Sequence, residues 1–176
     1  MPQENKNFGT VRYTYVSSPL GDILIAGNDH GIRAIALPIG SEKPKPEPDW
    51  FRDPKPFREA TRQLAQYFAG TRRAFDLSLT TQGTAFQKTV WRALRDIPYG
   101  ETVSYFELAC RIGRPSASRA VAAANADNPF PIVVPCHRVV GNTSALKGYS
   151  GSVRWKEDLR RLESATSPDP DGDPDS

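Results

Sequence analysis

The sequence predicts an α+β protein made of two lobes and a tail, and three observations lead to that prediction. Short runs of β-branched and aromatic residues, separated by turn residues, predict a small antiparallel-sheet lobe over residues 1–81. Helix-capping signals follow one another after that point and predict a mainly helical lobe over residues 82–165. The last stretch, 166–176, combines four aspartates with prolines and no basic residue, which is typical of a disordered acidic tail.

The first lobe begins with three predicted strands, at 11–16, 23–26 and 32–37, and a tight turn joins the last two. A proline-rich stretch, 38–56, is predicted to be an irregular surface loop, and a helix follows over 57–68. No catalytic constellation is visible in this lobe. It has no cysteine and a single histidine, His30, in the turn, so no metal site is predicted.

The second lobe opens with a capping box, Thr84 to Gln87, that starts a helix with an apolar core stripe. A second box, Ser104 to Glu107, starts a shorter helix, and Ser116 is predicted to cap a third one that runs to about residue 126. Two short helices joined by a glycine-containing turn indicate a helix-turn-helix. A flexible loop over 143–152 and a last helix over 153–163 complete the lobe. The stripe of the first helix comprises Phe86, Val90, Trp91, Leu94 and Ile97.

Composition narrows the class of protein. The net charge is +3, with its positive part concentrated in the second lobe, which weakly favours a polyanionic partner. Two cysteines give no disulfide framework and favour a reducing setting, cytoplasmic or nuclear. The first residues lack the apolar segment of a secretion signal, so none is predicted. A membrane span needs about 18 consecutive apolar residues, and the sequence has no such run.

One segment, 133–140, sets Cys136 beside His137 inside an apolar run that is typical of a buried strand end. A thiol is nucleophilic only as its thiolate, and a nearby histidine is a usual means of forming it. Neighbours on a strand point to opposite faces, so either a turn at Pro135 or a bridging water would have to connect the two groups. The alternative is a structural cysteine, which is the role predicted for Cys110 on an apolar helix face.

The third helix is unusual for a protein that reads DNA sequence. It is rich in alanine and carries one long basic side chain, Arg119, whereas a major-groove recognition helix projects several long polar side chains. Two interpretations stay open. The helix is either buried on both sides or approaches a groove wall closely, with Arg119 as its probe.

Several motifs occur in the order and at the spacing of one known family. On these residues the chain resembles the O6-alkylguanine-DNA alkyltransferases (methylated-DNA–protein-cysteine methyltransferases), closely over 82–163 and loosely before it. The resemblance implies a ribonuclease H-like first lobe and a winged helix-turn-helix in the second. The motifs are IPYGETVSY at 97–105, SRAV at 118–121, NP at 128–129, PCHRV at 135–139 and GYSG at 148–151.

The resemblance implies catalytic roles for five residues. Cys136 would accept the alkyl group directly from O6 of guanine, or from O4 of thymine, while His137 acts through a water as general base. Glu163 would orient His137, Asn128 would hold the cysteine turn, and Tyr105 would donate toward the guanine ring. The product would be a thioether, which has no acyl carbon for water to attack, so each chain would react once.

The residues themselves favour a partner for Glu163, because an acid in the last turn of a helix faces the negative end of the helix dipole. A solvated Glu163 without a role is the alternative.

The resemblance also implies double-stranded DNA with an alkylated base as partner, no cofactor, and a monomer in solution, with clustering on DNA left open. The helix-turn-helix would enter the minor groove, and Arg119 would fill the space of the flipped-out nucleotide. The substrate loop of Tyr149, Ser150 and Gly151 would cover the base. The implied DNA-binding residues are Tyr105, Ser116, Ala117, Arg119, Ala120 and Ala124.

Two departures from the family pattern, at 142–147 and at Ser152, adjoin the substrate loop and bear on which alkyl groups fit. Three other readings remain as alternatives. One is an alkyltransferase-like protein that binds the lesion without repair, another a helix-turn-helix regulator, and the third a Cys-His-Glu hydrolase. The presence of Cys136 argues against the first, and the alanine-rich helix argues against the second. A hydrolase would turn over many times, whereas each chain is expected to react once, which argues against the third.

Overall fold

The computed structural model describes residues 9–141 and 150–166, with the backbone alone for 150–153. The predicted α+β class is confirmed. The first lobe is a four-stranded sheet in the order β3-β2-β1-β4. Strands β1 (Arg12–Val16), β2 (Ile23–Asn28) and β3 (Gly31–Ala36) form an antiparallel meander, as the alternating pattern predicted. Strand β4 (Phe51–Arg52) pairs parallel to β1.

Strand β4 lies inside the proline-rich stretch that was predicted to be irregular, so that prediction is wrong at its end. Two residues carry no strand period, and only the pairing with β1 makes them a strand. A 3₁₀ turn at Lys55–Phe57 then leads into α1 (Arg58–Phe68). The inner face of α1 buries Leu64 and Tyr67 completely. This face brings the phenol of Tyr67 to the junction between the two lobes.

The second lobe contains α2 (Ala85–Arg95), α3 (Tyr105–Arg111), α4 (Ser118–Ala126) and α5 (Ser150–Thr166). Both hydrogen bonds of the Thr84 capping box are present at the start of α2. At the start of α3, the Ser104 hydroxyl accepts from Glu107 N at 3.0 Å. Two short parallel strands, β5 (Val103–Ser104) and β6 (Val139–Val140), brace the start of α3 against the cysteine segment. Periodicity could not predict strands of two residues.

Three local predictions in this lobe are wrong. Ser116 does not cap α4: Ala117 occupies the cap position and makes no side-chain capping bond. Cys110 is exposed, because α3 turns Leu108 and Ala109 inward instead. Helix α5 begins at Ser150 and ends at Thr166, three residues beyond the predicted helix at each end. The predicted acidic tail from 167 onward lies outside the described residues.

The lobes share one hydrophobic core, which runs from Ile23 of the sheet to Leu159 of α5. Ile35 N of β3 also donates to Pro129 O at 2.9 Å, directly in the loop that precedes the cysteine. The sheet lobe therefore supports the cysteine segment by contact. Among the described residues, no helix is long and apolar enough to cross a membrane.

Candidate active site

Cys136 begins a 3₁₀ turn, Cys136–Arg138, and does not end a strand, so the strand interpretation of this segment is wrong and the turn interpretation is confirmed. Pro135 precedes the turn with its ring-restricted φ of −80°, and its carbonyl accepts from Arg138 N at 3.0 Å. Because the chain turns here, neighbouring side chains are not forced to opposite faces. Cys136 and His137 are both buried.

Asn128 fixes the loop that leads into this turn. Its Nδ2 donates to Val134 O at 2.8 Å, and its Oδ1 accepts from Phe130 N at 3.0 Å. One amide thus joins both ends of the loop, which is the geometry that a holding role requires. A second amide, Asn125, was not predicted, and its Nδ2 lies 3.4 Å from Cys136 O.

Ile132, within the same loop, has a φ of 75°. A β-branched residue rarely adopts this left-handed conformation, which costs on the order of 1–3 kcal/mol. Its side chain is fully buried. The packed core therefore imposes the path of the chain just before the cysteine.

His137 and Glu163 meet as the resemblance to the family implies. His137 Nε2 lies 2.8 Å from Glu163 Oε1, and both side chains are almost completely buried. Helix α5 carries the carboxylate to the turn from 26 positions further along the chain. The solvated alternative for Glu163 is therefore excluded.

Glu163 has more partners than the sequence indicated. Arg138 Nη2 donates to Oε1 at 2.8 Å, and Arg138 Nε lies 3.1 Å from Oε2. Tyr67 Oη donates to Oε1 at 3.0 Å, and Gly100 N lies 3.4 Å from Oε2. The need of a helix-end acid for a cationic partner was the available signal for Arg138. Nothing in the local sequence signals Tyr67.

The charge states of this cluster follow from its contacts. Burial alone would raise the pKa of Glu163, but hydrogen bonds from His137 and Arg138 outweigh it and lower that pKa to about 2. Burial lowers the pKa of His137 and outweighs the opposing attraction of Glu163. At neutral pH the carboxylate is ionised and the imidazole is neutral.

These charge states select one tautomer of His137. An ionised carboxylate only accepts hydrogen bonds, so Nε2 carries the ring proton and donates to Glu163. Nδ1 then has a free lone pair. Within residues 9–141 and 154–166 it makes no hydrogen bond, although it is buried. The turn therefore holds a buried imidazole whose basic nitrogen is available for a proton.

The thiol of Cys136 is protonated at rest. Burial raises its pKa, while the charge of Lys156 and hydrogen bonding from Asn128 act in the opposite direction to a smaller extent. Lys156, on α5, was not singled out from the sequence. A thiol held in this state needs a base at the moment of reaction.

The helix-turn-helix presents some of the predicted DNA-binding residues and not others. Ser116, Arg119 and Ala120 are exposed, and Ala117 is half-buried. Ala124 is buried, and its carbonyl accepts from Trp91 Nε1 at 2.8 Å, so its place among the groove-facing residues is wrong. The helical repeat puts Ala124 on the inner face with Val121.

Tyr105 is half-buried in the first turn of α3. A Cβ at Gly141 would come within 2.8 Å of its ring, so glycine permits this close approach.

In the predicted substrate loop, Ser150 and Gly151 belong to the first turn of α5, and Tyr149 lies outside the described residues. No group of three or more acidic, histidine or cysteine side chains in the described part of the chain is arranged to hold a metal ion.

Comparison with known proteins identifies the family of this chain. The family model described as 6-O-methylguanine DNA methyltransferase, ribonuclease-like domain, matches residues 11–81. The model described as 6-O-methylguanine DNA methyltransferase, DNA binding domain, matches residues 85–165. The chain belongs to the 6-O-methylguanine DNA methyltransferase family. The resemblance stated from the motifs is thus confirmed.

Relatives in this family match over most of their length. A methylated-DNA–protein-cysteine methyltransferase of Methanosarcina barkeri is 48% identical over 86% of this chain and 96% of the relative. The crystal structure of Mycobacterium tuberculosis O6-methylguanine methyltransferase superimposes with a TM-score of 0.80 at 42% identity, covering 90% of this chain and 96% of that one. The Mycobacterium tuberculosis OGT structure in complex with DNA gives 0.78 at 42% identity, over 89% and 95%.

Proposed function

We propose that this member of the family repairs duplex DNA by moving the alkyl group of an O6-alkylguanine, or of an O4-alkylthymine, to Cys136. The observation that supports this most is the buried hydrogen bond between Glu163 and His137, the residue that follows Cys136. It leaves Nδ1 of His137 without a hydrogen-bond partner among the described residues. A buried, protonated thiol is inert until a base removes its proton, and the neutral imidazole is such a base.

The reaction is a single displacement. The Cys136 proton passes through a water to Nδ1 of His137, and the imidazolium that forms is stabilised by the ionised Glu163. The Sγ lone pair then attacks the alkyl carbon while the bond from that carbon to O6 breaks. The electron pair of that bond leaves with the guanine oxygen, a proton from water neutralises the guanine, and the imidazolium returns its proton to water. Cys136 ends as a thioether, and the chain is consumed.

The other residues prepare this step. Asn128 holds the turn, Tyr105 donates toward the flipped base, and the substrate loop of Tyr149, Ser150 and Gly151 covers it. A buried thiol cannot reach O6 inside a duplex, so the base leaves the stack at a cost of a few kcal/mol. Arg119, exposed on α4, fills the vacated space. Small neighbours such as Ala120 allow this helix into a minor groove only about 6 Å wide.

We propose further that the protein acts as a monomer in the cytoplasm on alkylated double-stranded DNA. We also propose that the first lobe ends at residue 81 and the second lobe at residue 165. Both cysteines are free, which fits a reducing compartment.

The test is intact mass and peptide mapping after mixing with duplex DNA that carries one O6-methylguanine. One added methyl group on the Cys136 peptide, saturating at one per chain, is expected. The Cys136→Ala variant should gain no mass and still bind the lesion in a gel shift. The Cys110→Ala variant is the matched control, because Cys110 is exposed and should not be needed. Tight lesion binding by the unaltered chain without a mass change would support the binding-only alternative instead.

A further inference from the structure

The sheet lobe reaches the catalytic cluster through one polar atom, the hydroxyl of Tyr67. Tyr67 is fully buried on the inner face of α1, and its hydroxyl donates to Glu163 Oε1 at 3.0 Å across 96 positions of sequence. That same oxygen accepts from His137 Nε2 at 2.8 Å. One oxygen atom therefore links a residue of the first lobe to the base of the second.

We propose that Tyr67 is a positioning residue for alkyl transfer, which acts through Glu163 on the basicity of His137. This inference rests on the proposed function only where it is tested by the rate of alkyl transfer. The hydroxyl takes part of the negative charge of Oε1, so it limits how strongly that oxygen holds the Nε2 proton. The sheet lobe would thereby set the strength of the base.

The surroundings of Tyr67 make the phenol a fixed donor. Its ring packs edge-on against Phe68 and Tyr99, with centroid distances of 5.3 and 6.1 Å. Burial and the nearby charge of Glu163 raise the pKa of Tyr67 well above its ordinary value, so it does not ionise in the working range of the protein. The ring cannot turn away without disturbing the packing that joins the lobes.

The charged groups that face His137 are Glu163 and Arg160 from α5 and Arg138 from its own turn. Tyr67 is a neutral donor to Glu163, so removal of its hydroxyl changes no net charge. Loss of its hydroxyl should leave Oε1 a stronger acceptor for the imidazole proton. The affinity of Nδ1 for a proton should therefore rise.

The experiment compares Tyr67→Phe with Tyr99→Phe. Tyr99 is the matched control, since its hydroxyl bonds Thr166 Oγ1 at the same junction and makes no hydrogen bond to Glu163 in the described structure. Transfer from free O6-methylguanine base to the protein is followed as a function of pH, so that DNA binding plays no part. The midpoint of the acidic limb should move to higher pH in Tyr67→Phe, by roughly half a pH unit, and stay in place in Tyr99→Phe.

Histidine NMR gives a readout that is independent of transfer. The chain has two histidines, and His30, in an exposed turn, is the internal reference. In Tyr67→Phe the ring nitrogen signals of His137 should titrate at higher pH than in the unaltered chain, while those of His30 stay unchanged. An unchanged His137 titration in a folded Tyr67→Phe protein, or an equal shift in Tyr99→Phe, would overturn the inference. Failure of transfer in the unaltered chain would overturn the proposed function and leave the NMR test valid.

Discussion

Glu163 is the residue on which most of the site depends, because four groups of the described residues donate to its carboxylate. A buried carboxylate with a single partner would lose much of its hydration without compensation. Here the imidazole, the guanidinium of Arg138, the phenol of Tyr67 and Gly100 N replace the lost water. Arg138 keeps Glu163 ionised, and the ionised acid keeps the His137 tautomer. The basicity of Nδ1 therefore depends on Arg138 and Glu163, which act on His137 through hydrogen bonds and do not take part in the bond changes.

Replacement of Glu163 by glutamine tests this dependence. Glu163→Gln should slow alkyl transfer at pH 7 by on the order of 10- to 100-fold, because the imidazolium formed in the reaction loses its counter-charge. The variant should also lose about 3–5 kcal/mol of unfolding free energy, since the buried Arg138 loses its ionic partner. Single-turnover rates and urea unfolding measure the two effects.

Glu157→Gln is the matched control for this substitution, because Glu157 lies on the same helix and is exposed. Its transfer rate and stability should be those of the unaltered chain. A Glu163→Gln protein with a normal transfer rate would show that the carboxylate has only a structural role.

At the scale of single elements, α4 combines an inner face that packs with an outer face that is nearly flat. Val121 and Ala124 are buried, whereas Arg119 and Ala120 are exposed. The interpretation that this helix is buried on both sides is therefore wrong, because its outer face is exposed. The close approach of that face to a groove wall stays a prediction. The only exposed arginine of this helix is therefore expected to act where the backbone comes nearest to DNA.

Arg119→Ala should slow repair of a duplex lesion by on the order of tenfold or more and leave the reaction with free alkylguanine base unchanged. The reason is that the unstacking cost of a few kcal/mol is no longer offset by a side chain in the vacated stack. Arg111→Ala, which removes an exposed arginine from α3, should weaken binding in a salt-dependent way without this selective loss. Equal losses on duplex and free base after Arg119→Ala would contradict the role of Arg119.

Elements with local signals were predictable, and elements that exist only through pairing were not. The start of α2 follows from Thr84 and Gln87, two residues three positions apart whose side chains each bond the backbone N–H of the other. Strand β4 exists only because β1 lies beside it. Small apolar residues were also ambiguous: Cys110 proved exposed and Ala124 buried, since neither is large enough to determine which face of a helix turns inward. In the site, the local pair Cys136–His137 was visible, whereas Tyr67 required the packing of both lobes.

At the scale of the whole molecule, the catalytic cluster is also the junction of the lobes, so its charge state enters the stability of the fold. Glu163, which keeps a pKa of about 2 in the folded protein, would protonate near 4.5 once unfolded. The contribution of Glu163 to the free energy of unfolding is present above pH 4.5 and is lost as the pH falls toward 2. The pKa of His137 is also lowered by folding, so the unfolded chain takes up a proton at higher pH than the folded protein does.

The histidine contribution can be isolated because the chain has only two histidines. Unfolding free energy should fall as the pH drops below about 6.5, with a slope of up to about 1.4 kcal/mol per pH unit, before the Glu163 window is reached. Urea unfolding between pH 8 and 5 measures the slope. In His137→Gln, whose amide can still donate to Glu163, this part of the slope should disappear. In His30→Gln it should persist, because His30 lies in an exposed turn. Equal slopes in the unaltered chain and His137→Gln would mean that the buried imidazole is not held neutral by the fold, and the base assigned to the reaction would then lack its free lone pair.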